Sequence, residues 1–396
     1  MGKAINIMSL KRLIFLINFY QFCIGTIFIL PVIIPYYQDH LGLTFQQFLI
    51  GEALFAAIII TMEIPSGWMS DVWSRKYTLM LGCATMILGY GLLLLSTGLY
   101  TAITAQAILG IGVACNSGTV TSILYDSLKA KGKEHLYQRL EGKRHGIGLY
   151  AVALGSIMGG FLYQIDIQLP LIFDIITLIL AFIITMFLVE PIRTKRVMNT
   201  NPLQDMFVTI KYALHGHKEI AGIIIVSTIL FCTTKMVMWT QQPYMQIVEI
   251  PTSWFGYIIA GGFLFGGMAG HLGHYIKHNL SNRKMMMLLT IFTIMFLLLS
   301  IIFNVPYAII FILLVSGVWG FGFPFVQNAI NKHADPARRA TILSTLGFLI
   351  SVAFIPASMV MGYLDETYSI ISVIGYLIVQ LIMLSSVGFW LWNRKK

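Results

Sequence analysis

Twelve continuous apolar runs, each long enough to cross a bilayer as a helix, dominate this 396-residue chain. A membrane-crossing helix needs about 20 mainly apolar residues to span a hydrocarbon core of about 30 Å. The runs lie near residues 13–35, 45–70, 77–97, 100–126, 145–165 and 170–190, then near 220–242, 252–276, 284–303, 306–331, 340–363 and 368–393. In chain order they are spans 1 to 12. They lack the roughly 10-residue alternating pattern of membrane barrels, so an all-α polytopic membrane protein is expected. Only 11% of residues are charged, against about 25% in soluble domains. That excludes a cytosolic enzyme or a disordered chain. The first run is too long for a signal-peptide core and no small-residue cleavage site follows it, so it is expected to remain as span 1. Cys23, Cys83, Cys115 and Cys232 sit in apolar runs without CxxC spacing and read as packing residues.

The net charge of +10 has a topological meaning. Of the 26 Lys and Arg residues, all but Lys235 lie before span 1, after span 12, or in alternate connections. Those connections hold Arg75 and Lys76; Lys129 to Arg144; Arg193 to Lys218; Lys277 to Lys284; and Lys332 to Arg339. The opposite connections carry acids instead: Asp39, Asp166, Glu249, Asp365 and Glu366. Cytoplasmic loops collect Lys and Arg, so both termini are expected in the cytoplasm of a multi-pass plasma-membrane protein, with no nucleic-acid partner.

The longest polar stretch, 191–219, includes Pro191, Asn199, Asn201 and Pro202 and reads as a cytoplasmic linker. It separates an N-terminal six-helix bundle, 1–190, from a C-terminal one, 220–396. A weak repeat supports the division: Gly67-x-x-x-Asp71-x-x-x-Arg75-Lys76 ends span 2, and Gly270-x-x-x-His274, followed by Arg283-Lys284, ends span 8.

The stretch Glu63-Ile64-Pro65-Ser66-Gly67-Trp68-Met69-Ser70-Asp71-Val72-Trp73-Ser74-Arg75-Lys76 resembles the signature of the major facilitator transporters. Leu124-Tyr125-Asp126-Ser127-Leu128-Lys129 and Asn331-Lys332-His333-Ala334-Asp335-Pro336-Ala337-Arg338-Arg339-Ala340-Thr341 are similar to segments of the drug:proton-antiporter-like bacterial permeases. The resemblance implies the major facilitator fold, twelve helices in two bundles around a central cavity, in a bacterial inner membrane. It also implies a cytoplasmic gate in which Asp71 and Arg75 form a charge relay, Gly67 allows close helix approach, and Lys76, Asp126 and His274 take part. Two positions depart from the drug antiporters. Gln106 stands where they carry arginine, and Gly160, Tyr163 and Gln164 interrupt their glycine-proline pattern, of which Gly146, Gly155 and Gly159 remain.

Ionisable residues inside spans are costly and are functional candidates. Lys235, in the outer part of span 7 near Trp239, Gln241 and Gln242, either attracts an anionic group of a substrate or snorkels to the interface. Glu52 and Glu63 are eleven residues apart on one face of span 2 and, with Asp174 of span 6, are candidates for proton coupling. Glu52 could instead meet water, Glu63 support the gate turn, and Asp174 partner Lys235 or anchor a helix end. His271 and His274 share a face and read as gate residues rather than metal ligands. Asn18, Tyr20, Gln21 and Asn116, together with Trp319, Gln327 and Asn328, are polar and aromatic candidates for lining a cavity, as are Trp239 and Gln242. Gly155-x-x-x-Gly159 and Gly262-x-x-x-Gly266-x-x-x-Gly270 offer smooth faces for helix contact.

The chain shows no nucleotide loop, GxSxG or HExxH, which speaks against an enzyme. No cofactor or metal is implied, and a monomer supplies both halves. The leading expectation is secondary transport of a small amphipathic molecule by alternating access, as proton-coupled export. The alternative is movement of an organic anion or polycarboxylate metal chelate of siderophore type, in either direction, anchored by Lys235. A non-transporting receptor is a third reading.

Overall fold

The computed structural model describes residues 9–190, 218–275, 280–303, 305–334 and 339–394, except for the side chains of 272–275, 339–341 and 394. Nearly all of the expected linker therefore lies outside the described residues, as do Asp335, Arg338, His278 and the side chain of His274.

The helices are α1 (Leu10–His40), α2 (Phe45–Trp73), α3 (Arg75–Leu94), α4 (Leu99–Lys129), α5 (Glu134–Ile165), α6 (Leu169–Phe187) and α7 (Lys218–Ile247). They continue with α8 (Thr252–Tyr275), α9 (Asn282–Phe303), α10 (Pro306–His333), α11 (Arg339–Thr367) and α12 (Ile370–Arg394). Among the described residues, eleven helices are long and apolar enough to cross a membrane. The exception is α8, which is 24 residues long but spends seven positions on glycine. The helix α8 is formed as expected.

Two helices are interrupted. In α1 the first segment ends at Gly25, and a short tight turn at Leu30–Val32 carries Pro31 in its first turn. Proline has no N–H to continue a helical ladder, so the backbone between the segments needs other partners. In α4 the segment Leu99–Asn116 stops and Thr119–Lys129 begins after Gly118. The φ of Gly118 is 71°, a left-handed conformation that glycine adopts without a Cβ clash. Pro65, Pro324 and Pro356 are carried inside α2, α10 and α11 without ending them.

The chain forms two compact units, Met1–Ile33 with Ile58–Asn199 and Ile34–Ala57 with Thr200–Lys396. In the first, Leu13, Ile17, Tyr20 and Cys23 of α1 pack with Leu79 and Cys83 of α3, Ile123 and Leu128 of α4 and Ala181 of α6. Gly155 and Gly159 of α5 lie against the interruption in α1, and a Cβ on Gly159 would overlap the Phe28 carbonyl oxygen. In the second unit, Ile224 and Phe231 of α7 pack with Met286, Ile330, Leu346 and Leu381 of α9 to α12. Here the α8 glycines meet α10, and a Cβ on Gly320 would overlap the Gly266 carbonyl oxygen. Both glycine faces therefore serve contacts inside a unit. All four cysteines are buried and free.

Local contacts group the connections as the charge pattern expects. In the first unit, Arg75 between α2 and α3 reaches Asp126 near the end of α4, while Glu190 beyond α6 binds the start of α3. In the second, Lys218 and Arg283 both reach Asn393 near the end of α12. Asp39, Asp365 and Glu366, from the acidic connections, line a single open cavity of about 550 Å³.

Candidate functional site

The gate sequence folds into a charged knot in the first unit. Ser74 caps α3 by accepting the Tyr77 N–H at 3.3 Å. Glu190 covers the same helix start, accepting from Ser74 Oγ at 2.8 Å and from the N–H groups of Arg75 and Lys76 at 3.1 and 2.9 Å. A carboxylate there satisfies orphan donors and complements the helix dipole. The Arg75 guanidinium donates to the Asp126 carboxylate, and to the Ser122 carbonyl at 2.6 Å. Asp71 is 3.5 Å away, with its side chain 40% exposed against 18% for Asp126. Arg75 is thus held mainly by α4, and Asp71 is the outer, weaker partner. Lys76 donates to the Met186 carbonyl at 2.6 Å. Gly67 is exposed, and among the described residues a Cβ there would meet nothing within 4 Å.

A second cluster in the first unit gathers three of the expected cavity residues. Tyr20 donates to Asn116 Oδ1, and Asn116 donates onward to the Gly112 carbonyl at 3.0 Å. Gln21 accepts from Arg144, whose guanidinium is also paired with Glu141 on α5. The charge-rich 129–144 stretch reads as loop in the sequence, but α5 extends back to Glu134. Arg144, Glu141 and their partner Thr121 were therefore missed. Asn18 is half-buried.

Asp174 is buried and anchors a helix end. Its carboxylate accepts the N–H groups of Phe28 and Ile29 at 2.8 and 3.0 Å, the donors freed by the interruption in α1.

In the second unit, Lys235 places its ammonium 4.2 Å from the Phe354 ring centroid, within cation–π range. Glu52 is 7% exposed and lies within electrostatic reach of Lys235. Glu63, farther along the same continuous helix, has an exposed side chain. The Glu63 carbonyl accepts from Ser66 Oγ at 3.1 Å. Trp239 packs edge-to-face on Phe48 at 5.1 Å, and its buried Nε1 has no hydrogen-bond partner among the described residues. Gln242 Oε1 accepts the Ile34 N–H at 3.0 Å. Trp319 stacks on Phe323 at 5.4 Å and meets Phe231 edge-on at 5.2 Å. Gln327 is half-buried, while Asn328 and His271 are exposed. Among the described residues, no group of three or more His, Cys, Asp or Glu is placed to hold a metal ion.

Solved structures share this fold at low sequence identity. A point mutant of the nucleoside transporter NupG aligns with a TM-score of 0.80 at 14% identity, covering 97% of this chain and 100% of that one. A POT family transporter in complex with 5-aminolevulinic acid gives 0.73 at 14% identity, covering 96% and 95%. The human organic anion transporter MFSD10 gives 0.67 at 13% identity, covering 96% and 99%. No curated protein matches the chain by sequence. The sequence model of the Major Facilitator Superfamily matches residues 14–358. Most of the chain falls within that match, and the protein belongs to the Major Facilitator Superfamily.

Proposed function

We propose that this protein is a proton-coupled secondary transporter that exports a small amphipathic molecule from a bacterial cytoplasm by alternating access, in the manner of the drug:proton-antiporter-like permeases. In this reading α8 also crosses the bilayer. The chain then has twelve spans in two six-helix bundles, 1–190 and 220–396, joined by the linker 191–219. Both termini are cytoplasmic, and the protein works as a monomer. Asp71, Arg75, Lys76, Asp126 and His274 form the cytoplasmic gate.

The observation that carries the proposal is the placement of Lys235 and Glu52 within electrostatic reach of each other in otherwise apolar helices. Two opposite charges taken out of water cost more than an apolar pair of similar volume. Their retention supports a role in which one of them changes charge, and a proton arriving on Glu52 would release Lys235. Trp239, Phe354 and Trp319 supply aromatic surface for an amphipathic solute.

The test is proton flux in proteoliposomes carrying an internal pH dye, challenged first with pooled cationic drugs and then with pooled organic anions and ferric chelates. A response to cations that is lost in Glu52→Gln and retained in Lys235→Ala supports the proposal. A response to anions that disappears in Lys235→Ala transfers support to the second reading, an organic-anion or chelate transporter anchored by Lys235. The contact of Lys235 with the Phe354 ring favours that reading, because it holds the ammonium without consuming its charge. Solute binding without any flux would favour a receptor.

A further inference from the structure

Glu141 and Arg144 lie one turn apart on α5 and have no part in the proposal above. The geometry points to Arg144 as a carboxylate-binding site in the first unit, where Glu141 occupies the place that a solute carboxylate takes. Arg144 Nε donates to Glu141 Oε2 at 2.9 Å while Nη2 donates to Glu141 Oε1, the two-pronged arrangement that a planar guanidinium offers any carboxylate. Two of the three remaining donors go to neutral acceptors on two other helices: Nη2 to Thr121 Oγ1 of α4 at 3.2 Å and Nη1 to Gln21 Oε1 of α1. Thr121 Oγ1 also donates to Glu141 Oε1 at 3.1 Å, so Gln21 is the support that does not depend on Glu141 and keeps the fork aimed when Glu141 leaves it. The side chains of Arg144 and Glu141 keep 15% and 24% exposure, which leaves an edge of the pair open.

A pair between neighbours on one helix needs no support from two more helices. Organising three helices around a partly desolvated guanidinium is costly and prepares it to change partners. In the exchange, a solute carboxylate takes the fork, and displaced Glu141 binds one proton from water. The site's net charge is then unchanged, and each anion bound brings one proton with it. The charged and titratable groups around Glu141 are Arg144, His145 and Tyr137 on α5, Tyr125 of α4 against Tyr137, and Tyr20 of α1 beside Arg144. Three of these are tyrosines, which suits an aromatic monocarboxylate. The inference rests on the transport reading only in taking the carboxylate to be the solute's own.

The experiment is calorimetric titration of the full chain in detergent with benzoate, and with benzamide as the neutral control. It is run at about pH 6 and about pH 8 in buffers of different ionisation heat. Benzoate is expected to bind with uptake of about one proton, hence about a hundredfold more tightly at about pH 6 than at about pH 8, and about tenfold more tightly than benzamide. Arg144→Lys keeps the charge without the fork and is expected to weaken benzoate about tenfold. Glu141→Gln is expected to bind benzoate equally at both pH values with no proton uptake. Should Arg144→Lys fail to fold, Thr121→Val removes one support of the fork and is expected to weaken benzoate about threefold. No binding of benzoate to the folded chain, binding indifferent to Arg144→Lys or Thr121→Val, or unchanged proton uptake in Glu141→Gln would each overturn the inference. Proton-coupled binding without flux in proteoliposomes leaves the site standing and removes the transport reading. Solute flux untouched by Arg144→Lys does the reverse.

Discussion

Asp174 of α6 gives one carboxylate oxygen to the N–H of Phe28 and the other to the N–H of Ile29, at 2.8 and 3.0 Å. Both donors are buried, so the carboxylate replaces the ladder bonds that α1 loses at its interruption. Asp174→Leu leaves two buried N–H groups unmade, at about 1–3 kcal/mol each. A clearly lowered unfolding temperature in detergent is expected, with a smaller drop for Asp174→Asn, which keeps one acceptor. Equal stability of all three proteins would contradict the anchoring role.

The two acids beside Arg75 are unequal. Asp126→Asn should destabilise the protein by about 1–3 kcal/mol, because it strips a partly buried guanidinium of its main partner. Asp71 is more exposed and farther away, and Asp71→Asn should cost less than about 1 kcal/mol. Denaturation of the two variants side by side checks the order. A larger loss in Asp71→Asn would restore Asp71 as the principal partner.

Glycines in this chain differ in what surrounds them. A Cβ at Gly159 or Gly320 would overlap a backbone oxygen of the neighbouring helix, and overpacking of this kind costs about 1–3 kcal/mol. Gly67 has open space, and Gly67→Ala should be neutral or gain up to about 1 kcal/mol of helix propensity. Unfolding midpoints of the three alanine variants should separate into these two groups.

Lys235 and Glu52 should be thermodynamically coupled. Either Lys235→Ala or Glu52→Gln alone leaves an uncompensated charge, whereas the double variant removes both. A double-mutant cycle on detergent stability is expected to give a coupling of about 0.5–3 kcal/mol. Strict additivity would separate the two residues.

Passage of α8 through the bilayer can be read by labelling. The four native cysteines are buried and give low background to an impermeant maleimide. Cysteines introduced at Ser253, in the first turn of α8, and at Ser281, beyond its end, should label from opposite sides of sealed vesicles. Labelling from one side would mean that α8 does not cross.

Apolar run length sufficed to locate the helices, because a bilayer forces every backbone donor into a local ladder. Charge density misled where it is highest. Lys-rich residues around Glu141 and Arg144 read as loop, yet α5 begins before them, and the positive-inside pattern cannot distinguish a loop from the extended foot of a helix. Partner choice was out of reach as well. Arg75 is four residues from Asp71 but bonds more closely to Asp126, 51 residues away, a result of helix packing that spacing does not encode. Glu190 gave no signal beyond standing at the edge of a span. Asp174 was legible only as a buried acid, since its role depends on an interruption in α1 that a continuous apolar run conceals.

The glycine face of α8 carries a consequence for how the chain is made. Gly266 and Gly270 are covered by Ser316 and Gly320 of α10, residues synthesised well after them. Until α10 emerges, α8 presents the lipid with a bare backbone stripe on that face. The glycine face of α8 therefore gains its packing partner only after α8 itself has been made. A nascent chain truncated before Gly320 should lose α8 from the membrane more readily than any of its neighbours.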